Sequence, residues 1–266
     1  MTDLPVYITS LPAQLGATGR VTDGELFLEI EPHPALLHHG VIRASVLSYL
    51  VDCVAGIPLD RDPDAWAFTT DMTVRTRPIE VHGVVTAKFR LLREGRRSAT
   101  GAVDLVCENG ELLGVGAIGF ARVPRREGDP PKIHLSVEEI LEHFDASTVV
   151  TQPLRDAAGI EVVDAGTGVV EVPITAALLN PAGTLQGAMV ALVAEAAAEE
   201  LFARRAGGPV VVTDLDLRYL GQTGAGPVRT RTKVVGDGAD VPVEVELVDL
   251  STDVVTTIVH ARATPV

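Results

Sequence analysis

Two carboxylates stand where an apolar helix should carry none. Glu195 interrupts Val190-Ala-Leu-Val-Ala-Glu195-Ala-Ala-Ala198, and Asp52 interrupts Leu47-Ser-Tyr-Leu-Val-Asp52-Cys-Val-Ala55. A dry, unpaired carboxylate is costly, so each acid must face a polar partner or do chemistry. A desolvated carboxylate is what a hydrolase uses as general base or nucleophile. Nine residues before each acid lies the entry turn of its helix, Gln186 before Glu195 and Arg43 before Asp52. By helix rise and twist, turn and acid are then roughly 13.5 Å apart and on opposite faces. One helix cannot bring its N-terminal amides and its own acid to one small group. Two helices side by side can, with the amides of one meeting the acid of the other.

The second helix is supplied by an internal repeat. An offset of 143 residues places Gly183 on Gly40, Gln186 on Arg43, Glu195 on Asp52, Thr213-Asp214 on Thr70-Asp71, Arg218 on Arg75 and Gly226 on Gly83, without a gap. The chain reads as a tandem duplication of one domain of about 130 residues. The expected organisation is a first domain over 1–123, a linker with a short helix over 124–147, and a second domain over 148–266. The site is expected between the domains.

The elements that must position these residues follow from patterning. In the first copy, residues 1–20 read as irregular, 24–30 as a strand, and 41–55 as an apolar helix closed by Gly56-Ile-Pro58. Four strands follow as a meander over 65–77, 81–92, 98–107 and 112–123, with Asn109-Gly110 as a hairpin turn. Ser136-Val-Glu-Glu139 has capping-box form and starts a short helix to about residue 144. The second copy reads as strands over 160–163 and 169–173, a helix over 184–206, and strands over 210–220, 228–235, 243–249 and 254–263. A helix that is apolar on most of its surface must be covered on most of its surface. The fold class is therefore α+β, with an antiparallel sheet wrapped round a long helix in each copy.

Composition narrows the function classes. The 266 residues are 46% hydrophobic and carry a net charge of −14. That charge, with no Lys/Arg stripe, excludes nucleic acid and anionic membrane as expected partners. No stretch reaches the ~20 apolar residues of a membrane span. Met1-Thr-Asp-Leu-Pro-Val6 shows no basic segment before an apolar core, and the two cysteines, Cys53 and Cys107, have no metal-ligand spacing. A cytoplasmic setting is expected. The pair His38-His39 lacks an acid or cysteine at ligand spacing, so no metal is expected. Glu199 and Glu200 are expected in solvent near the helix end.

Asn180-Pro-Ala-Gly-Thr-Leu-Gln-Gly-Ala188, with an acid nine residues after Gln186, resembles the Asn-x-x-Gly-Thr-Leu-His-Gly-Gly…Asp signature of hotdog-fold thioesterases of the PaaI and 4-hydroxybenzoyl-CoA type. Residues 211–220 resemble the strand that follows the helix in that family. The resemblance covers residues 160–266, and 20–123 mostly through the repeat. It implies two tandem hotdog domains forming an internal pseudo-dimer. It also implies that an Asn side chain and a Gly amide at one helix N-terminus polarise a thioester carbonyl, while the acid of the opposing helix, helped by a Ser or Thr on the strand, activates water or attacks.

Carried over residue by residue, one site would combine Asn180, Gln186 and the Gly187 amide with Asp52 and Thr69, departing from the family in having Gln186 where His is usual. The other would pair Glu195 with the Arg43-Ala44 turn, with Leu37 or His38 at the Asn position and Val212 at the Thr69 position. It is expected to be vestigial or repurposed. Arg75 and Arg218 could hold coenzyme A phosphates, with solvated strand arginines as the competing reading. The expectation is an acyl-CoA thioesterase that needs no cofactor beyond the coenzyme A of its substrate, its pseudo-dimer self-associating into a homodimer. The rivals are a hotdog hydratase or dehydratase, disfavoured by Gln186, and a non-catalytic acyl-CoA binding module.

Overall fold

Residues 10–129, 131–133, 135–236 and 241–266 are described by the computed structural model. The readings of residues 1–9, as irregular and free of a secretory signal, lie outside the described residues. The chain runs β1 (Ala17–Thr22), β2 (Glu25–Ile30), β3 (Leu37–His38), β4 (Val41–Ile42), α1 (Ala44–Leu59), β5 (Ala65–Thr76), β6 (Val85–Glu94), β7 (Ser98–Cys107) and β8 (Leu112–Pro124). It continues through α2 (Val137–Asp145) and α3 (Leu154–Ala157) to β9 (Glu161–Asp164), β10 (Val169–Val172), α4 (Gly187–Ala206), β11 (Val210–Tyr219), β12 (Val228–Val234), β13 (Val243–Asp249) and β14 (Val254–Pro265). Apart from the β3–β4 pair, the described strands form one antiparallel sheet in the order β1-β2-β6-β7-β8-β5-β11-β14-β13-β12-β10-β9.

The 143-residue offset is visible in the backbone. α4 begins at Gly187, that distance beyond the start of α1 at Ala44. The turn into each helix carries a left-handed glycine, Gly40 at φ 80° and Gly183 at φ 78°, a conformation in which a side chain would be strained. At the middle of the sheet β5 pairs with β11, with Asp71 opposite Arg218 and Arg75 opposite Asp214. Thr73 lies opposite Asp216, the residue 143 positions later, so a local two-fold axis passes through that pair. Burial explains the layout: α1 buries 10 of its 16 residues and α4 buries 14 of its 20. Such helices cannot be covered by one flat surface, and they pack against the sheet on one side and each other on another.

Several sequence expectations are corrected. The irregular region ends early, because Pro12–Leu15 forms a 3₁₀ turn and β1 starts at Ala17. α1 starts at Ala44, three residues later than expected, and does not stop at Gly56. It runs through Pro58 to Leu59, because Ile57 and Leu59 still pack, partly buried, against the core, and a proline in the last turn removes only one backbone donor. The four strands after α1 are not a simple meander: β5 pairs with β8 and β6 with β2. That arrangement leaves the other edge of β5 free to meet β11. Elsewhere, Ser136 and Glu139 form the reciprocal capping box expected of them. No described helix is long and apolar enough to cross a membrane.

Candidate active site

α1 and α4 lie so that the N-terminus of each meets the middle of the other. At the start of α4, Gln186 is the N-cap: its Oε1 accepts hydrogen bonds from the Ala188 and Met189 N–H groups at 2.6 and 3.3 Å. With its acceptor spent on the helix, its Nε2 turns to α1 and donates to Asp52 Oδ2 at 3.0 Å. Thr69, on β5, donates through Oγ1 to Asp52 Oδ1 at 2.7 Å. Both carboxylate oxygens are thus fixed from different elements. Burial pushes the Asp52 carboxyl above its usual range, and the Thr69 hydrogen bond pulls the other way by favouring the charged form.

Two donors line the same cavity as this carboxylate and are accepted by no described residue. Gly187 is the first residue of α4, and among the described residues nothing accepts its N–H. Asn180 Oδ1 accepts from the Ala182 and Thr184 N–H groups at 3.0 and 3.1 Å, which fixes the amide and leaves its Nδ2 as donor. Gly187 also keeps space open. A Cβ there would lie 3.3 Å from Tyr219 Oη and 3.4 Å from Asp52 Oδ2. Tyr219, which the sequence reading did not assign a role, donates to the Gly187 carbonyl at 3.1 Å and holds the turn in place. Cys53 is no alternative nucleophile, because burial and the Asp52 charge push its thiol well above the usual range.

These groups open into a cavity of about 850 Å³ lined by both halves of the chain. Asp52, Thr69, Asn180 and Gln186 are among its polar lining residues. No family model matches the sequence, and no curated protein matches it. Solved structures match along almost the whole chain. An acyl-ACP thioesterase from Bacteroides thetaiotaomicron is 9% identical over 95% of this chain and 99% of its own, with a TM-score of 0.61. A hot dog fold protein from Alicyclobacillus acidocaldarius is 11% identical over 97% and 100%, at 0.59. A tesB protein from Mycobacterium avium subspecies paratuberculosis is 13% identical over 96% and 98%, at 0.60. The chain has the hotdog fold. At these identities the likeness is one of fold, and thioesterases are among the structures that share it.

At positions 143 residues removed from these the structure holds a second arrangement, built with different residues. Glu195 stands where Asp52 stands, and its longer side chain reaches the other helix: Oε1 accepts the Ala44 N–H at 2.8 Å, and Oε2 accepts from the Ser45 N–H at 3.4 Å and from Ser45 Oγ. Ala44 is the counterpart of Gly187, so the amide left free in one arrangement is consumed in the other. Gly56 lines the cavity; its counterpart Glu199 is buried and bonded through both oxygens to Arg43 Nη1 at 2.8 and 3.0 Å. Pro12 lines the cavity too, and its counterpart Arg155 reaches Glu200 at 2.8 Å and Glu199 at 3.6 Å. His38 accepts at Nδ1 from Arg43 Nη2 at 3.3 Å, and its Nε2 lies 3.5 Å from Glu199. Burial, with the nearby Arg43 charge, lowers its pKa to about 3, so the imidazole is neutral. Larger side chains have filled the second arrangement with ion pairs.

Glu199 is therefore a correction: expected in solvent, it is 2% exposed, because it lies one helical turn beyond Glu195 on the same inward face. Arg155 was not singled out at all. The structure brings Asp52, Thr69, Asn180, Gln186 and Gly187 together and sets Glu195 apart. Arg75 and Arg218 do not join them. Arg75 is 67% exposed beside Asp214, Arg218 bonds Asp216, and neither lines the cavity. The described residues hold no cluster of metal-ligating side chains.

Proposed function

We propose that this chain is an acyl thioesterase built as two tandem hotdog domains in one pseudo-dimer, hydrolysing an acyl-CoA to free acid and coenzyme A at the Asp52 site between them. The observation that carries the reading is that two unspent donors, Gly187 N–H and Asn180 Nδ2, line one largely apolar cavity together with a fixed and partly desolvated carboxylate, Asp52. The thioester carbonyl oxygen lies against the two donors, and a water lies against Asp52. Asp52 takes a proton from that water as its oxygen bonds to the carbonyl carbon, and the C=O electron pair moves onto oxygen. A helix N-terminal amide stabilises such an oxyanion, and losing one donor of this kind typically costs about 10²–10³ in rate. Collapse of the intermediate breaks the C–S bond, and the departing thiolate takes up the proton held by Asp52. Direct attack by Asp52 to give an anhydride uses the same geometry.

Gln186 argues against a dehydratase. Its oxygen is committed to the helix and its nitrogen to Asp52, and an amide does not titrate, so Gln186 cannot supply the second acid–base group that dehydration needs. The carrier is tested with the activity. Thiol release is measured from acyl-CoAs of short, long and aromatic acyl groups and from the same acyl groups on an acyl carrier protein, with wild type and Asp52→Ala. Release from acyl-CoA that disappears in the variant supports the proposal. Release from the carrier protein alone moves the substrate class while keeping the site. Tight acyl-CoA binding with no turnover from either carrier replaces the proposal with a binding module.

A further inference from the structure

We propose that the segment joining the two halves, through Lys132, Leu135, Ile140 and Phe144, forms one wall of the cavity and so determines which acyl group enters, namely a large apolar one. The inference rests on the thioesterase reading for the head group only; the wall itself is argued from packing. Six of the ten aromatic residues of the chain line this one cavity: Tyr49, Trp66, Phe68, Phe120, Phe144 and Tyr219. A chain with 4% aromatics that concentrates them here has built a surface for burying apolar matter.

The joining segment is fastened over that surface at both ends. Lys132 has a side chain only 4% exposed, and its ammonium donates to Asp60 Oδ1 at 2.7 Å, the Asp62 carbonyl at 2.8 Å and the Ala65 carbonyl at 2.7 Å. An ammonium has three donors, so none is left for a ligand, and the charge lies over the Trp66 ring at 5.0 Å. Lys132 is an anchor. Ser136 and Glu139 then start α2, whose inner face carries Ile140 and Phe144 to the cavity. The Phe144 ring packs 6.5 Å from that of Tyr49, which sits on α1 one turn before Asp52 and Cys53.

A single chain has one joining segment and two positions related by the internal axis. The wall can be built on one side only. On the other side the positions corresponding to Pro12 and Gly56, which line the cavity here, carry Arg155 and Glu199, paired with each other. The asymmetry of the two halves is thus a consequence of connectivity as well as of the substitutions at the acids.

The test replaces Ile140, a partly buried wall residue, by Ala to deepen the cavity and by Trp to shorten it. Hydrolysis is followed over a homologous series of straight-chain acyl-CoAs, and binding of the matching free fatty acids is followed with Asp52→Ala carrying the same wall changes. Ile140→Ala should move both optima to longer chains and Ile140→Trp to shorter ones, with about tenfold or more lost per methylene that no longer fits. Hydrolysis that needs Asp52 but keeps the wild-type length profile in both wall variants overturns the inference and leaves the thioesterase standing. A shifted fatty acid profile in a protein that hydrolyses no thioester does the reverse. Absence of both binding and hydrolysis overturns the inference as well.

Discussion

Glu195 accepts the backbone N–H of Ala44 at 2.8 Å, and in doing so it occupies the position that a reacting carbonyl would need. Asp52, its counterpart, is shorter by one methylene and bonds instead to Thr69 and Gln186, leaving the Gly187 N–H unspent. The difference predicts that charge alone does not make this site. Asp52→Glu should fold, keep its carboxylate and lose activity by about 10²–10³, because the longer acid can cap the helix amide and remove an oxyanion donor. Thiol release by this variant at more than a tenth of the wild-type rate would contradict that geometry.

The opposite behaviour is expected of Glu195 itself. Glu195→Gln should keep most of the hydrolysis, since Glu195 lies in the filled arrangement away from Asp52. It should also destabilise the fold by about 1–3 kcal/mol, because it weakens a buried network around Arg43 and leaves the Ser45 donors poorly matched. Urea unfolding with an unchanged slope and a lower midpoint is the expected reading. An inactive but fully stable variant would assign Glu195 to the chemistry.

The pH dependence follows from the two influences on Asp52. The carboxylate must be ionised to accept a proton, so the rate falls as pH drops through its pKa. Burial sets that pKa above the usual range for Asp, and the Thr69 hydroxyl opposes the shift by hydrogen bonding to the charged form. Thr69→Val removes the opposing influence, so the carboxyl pKa rises and the acid limb of kcat/KM moves to higher pH. A limb that stays in place or moves to lower pH shows that another group controls it.

How much of this was legible in the sequence depends on the range of the interactions involved. The repeat, the two helices, the glycines at their entries and the acid–amide pairing between them are written in spacing, and spacing fixes geometry within a helix. The position of β5 beside β8 is a non-local pairing with no local signal, since β5 and β6 look equally suited to each other. Glu199 was readable and was missed: an acid four residues after a buried one shares its face, and Arg43, in the turn already noted, was its counter-ion. Arg155 was hidden for a different reason. Its counterpart Pro12 falls in a stretch read as irregular, so nothing marked the position as part of either arrangement.

Gln186 is the point at which the sequence departs from the His expected by family resemblance, and its two bonds indicate what a substitution must preserve. One atom must accept from the first turn of α4 and another must donate to Asp52. A neutral His can do both, with Nδ1 toward the helix and Nε2–H toward the carboxylate, so Gln186→His should retain hydrolysis. It would also bring in a group that titrates near an ordinary pKa of about 6.5, adding a pH dependence that the wild type lacks. Gln186→Leu fills similar space but can neither accept nor donate. It should lose most of the activity and part of the helix cap, worth about 1 kcal/mol. Equal activity in the His and Leu variants would show that the side chain at 186 serves the fold and not the orientation of Asp52.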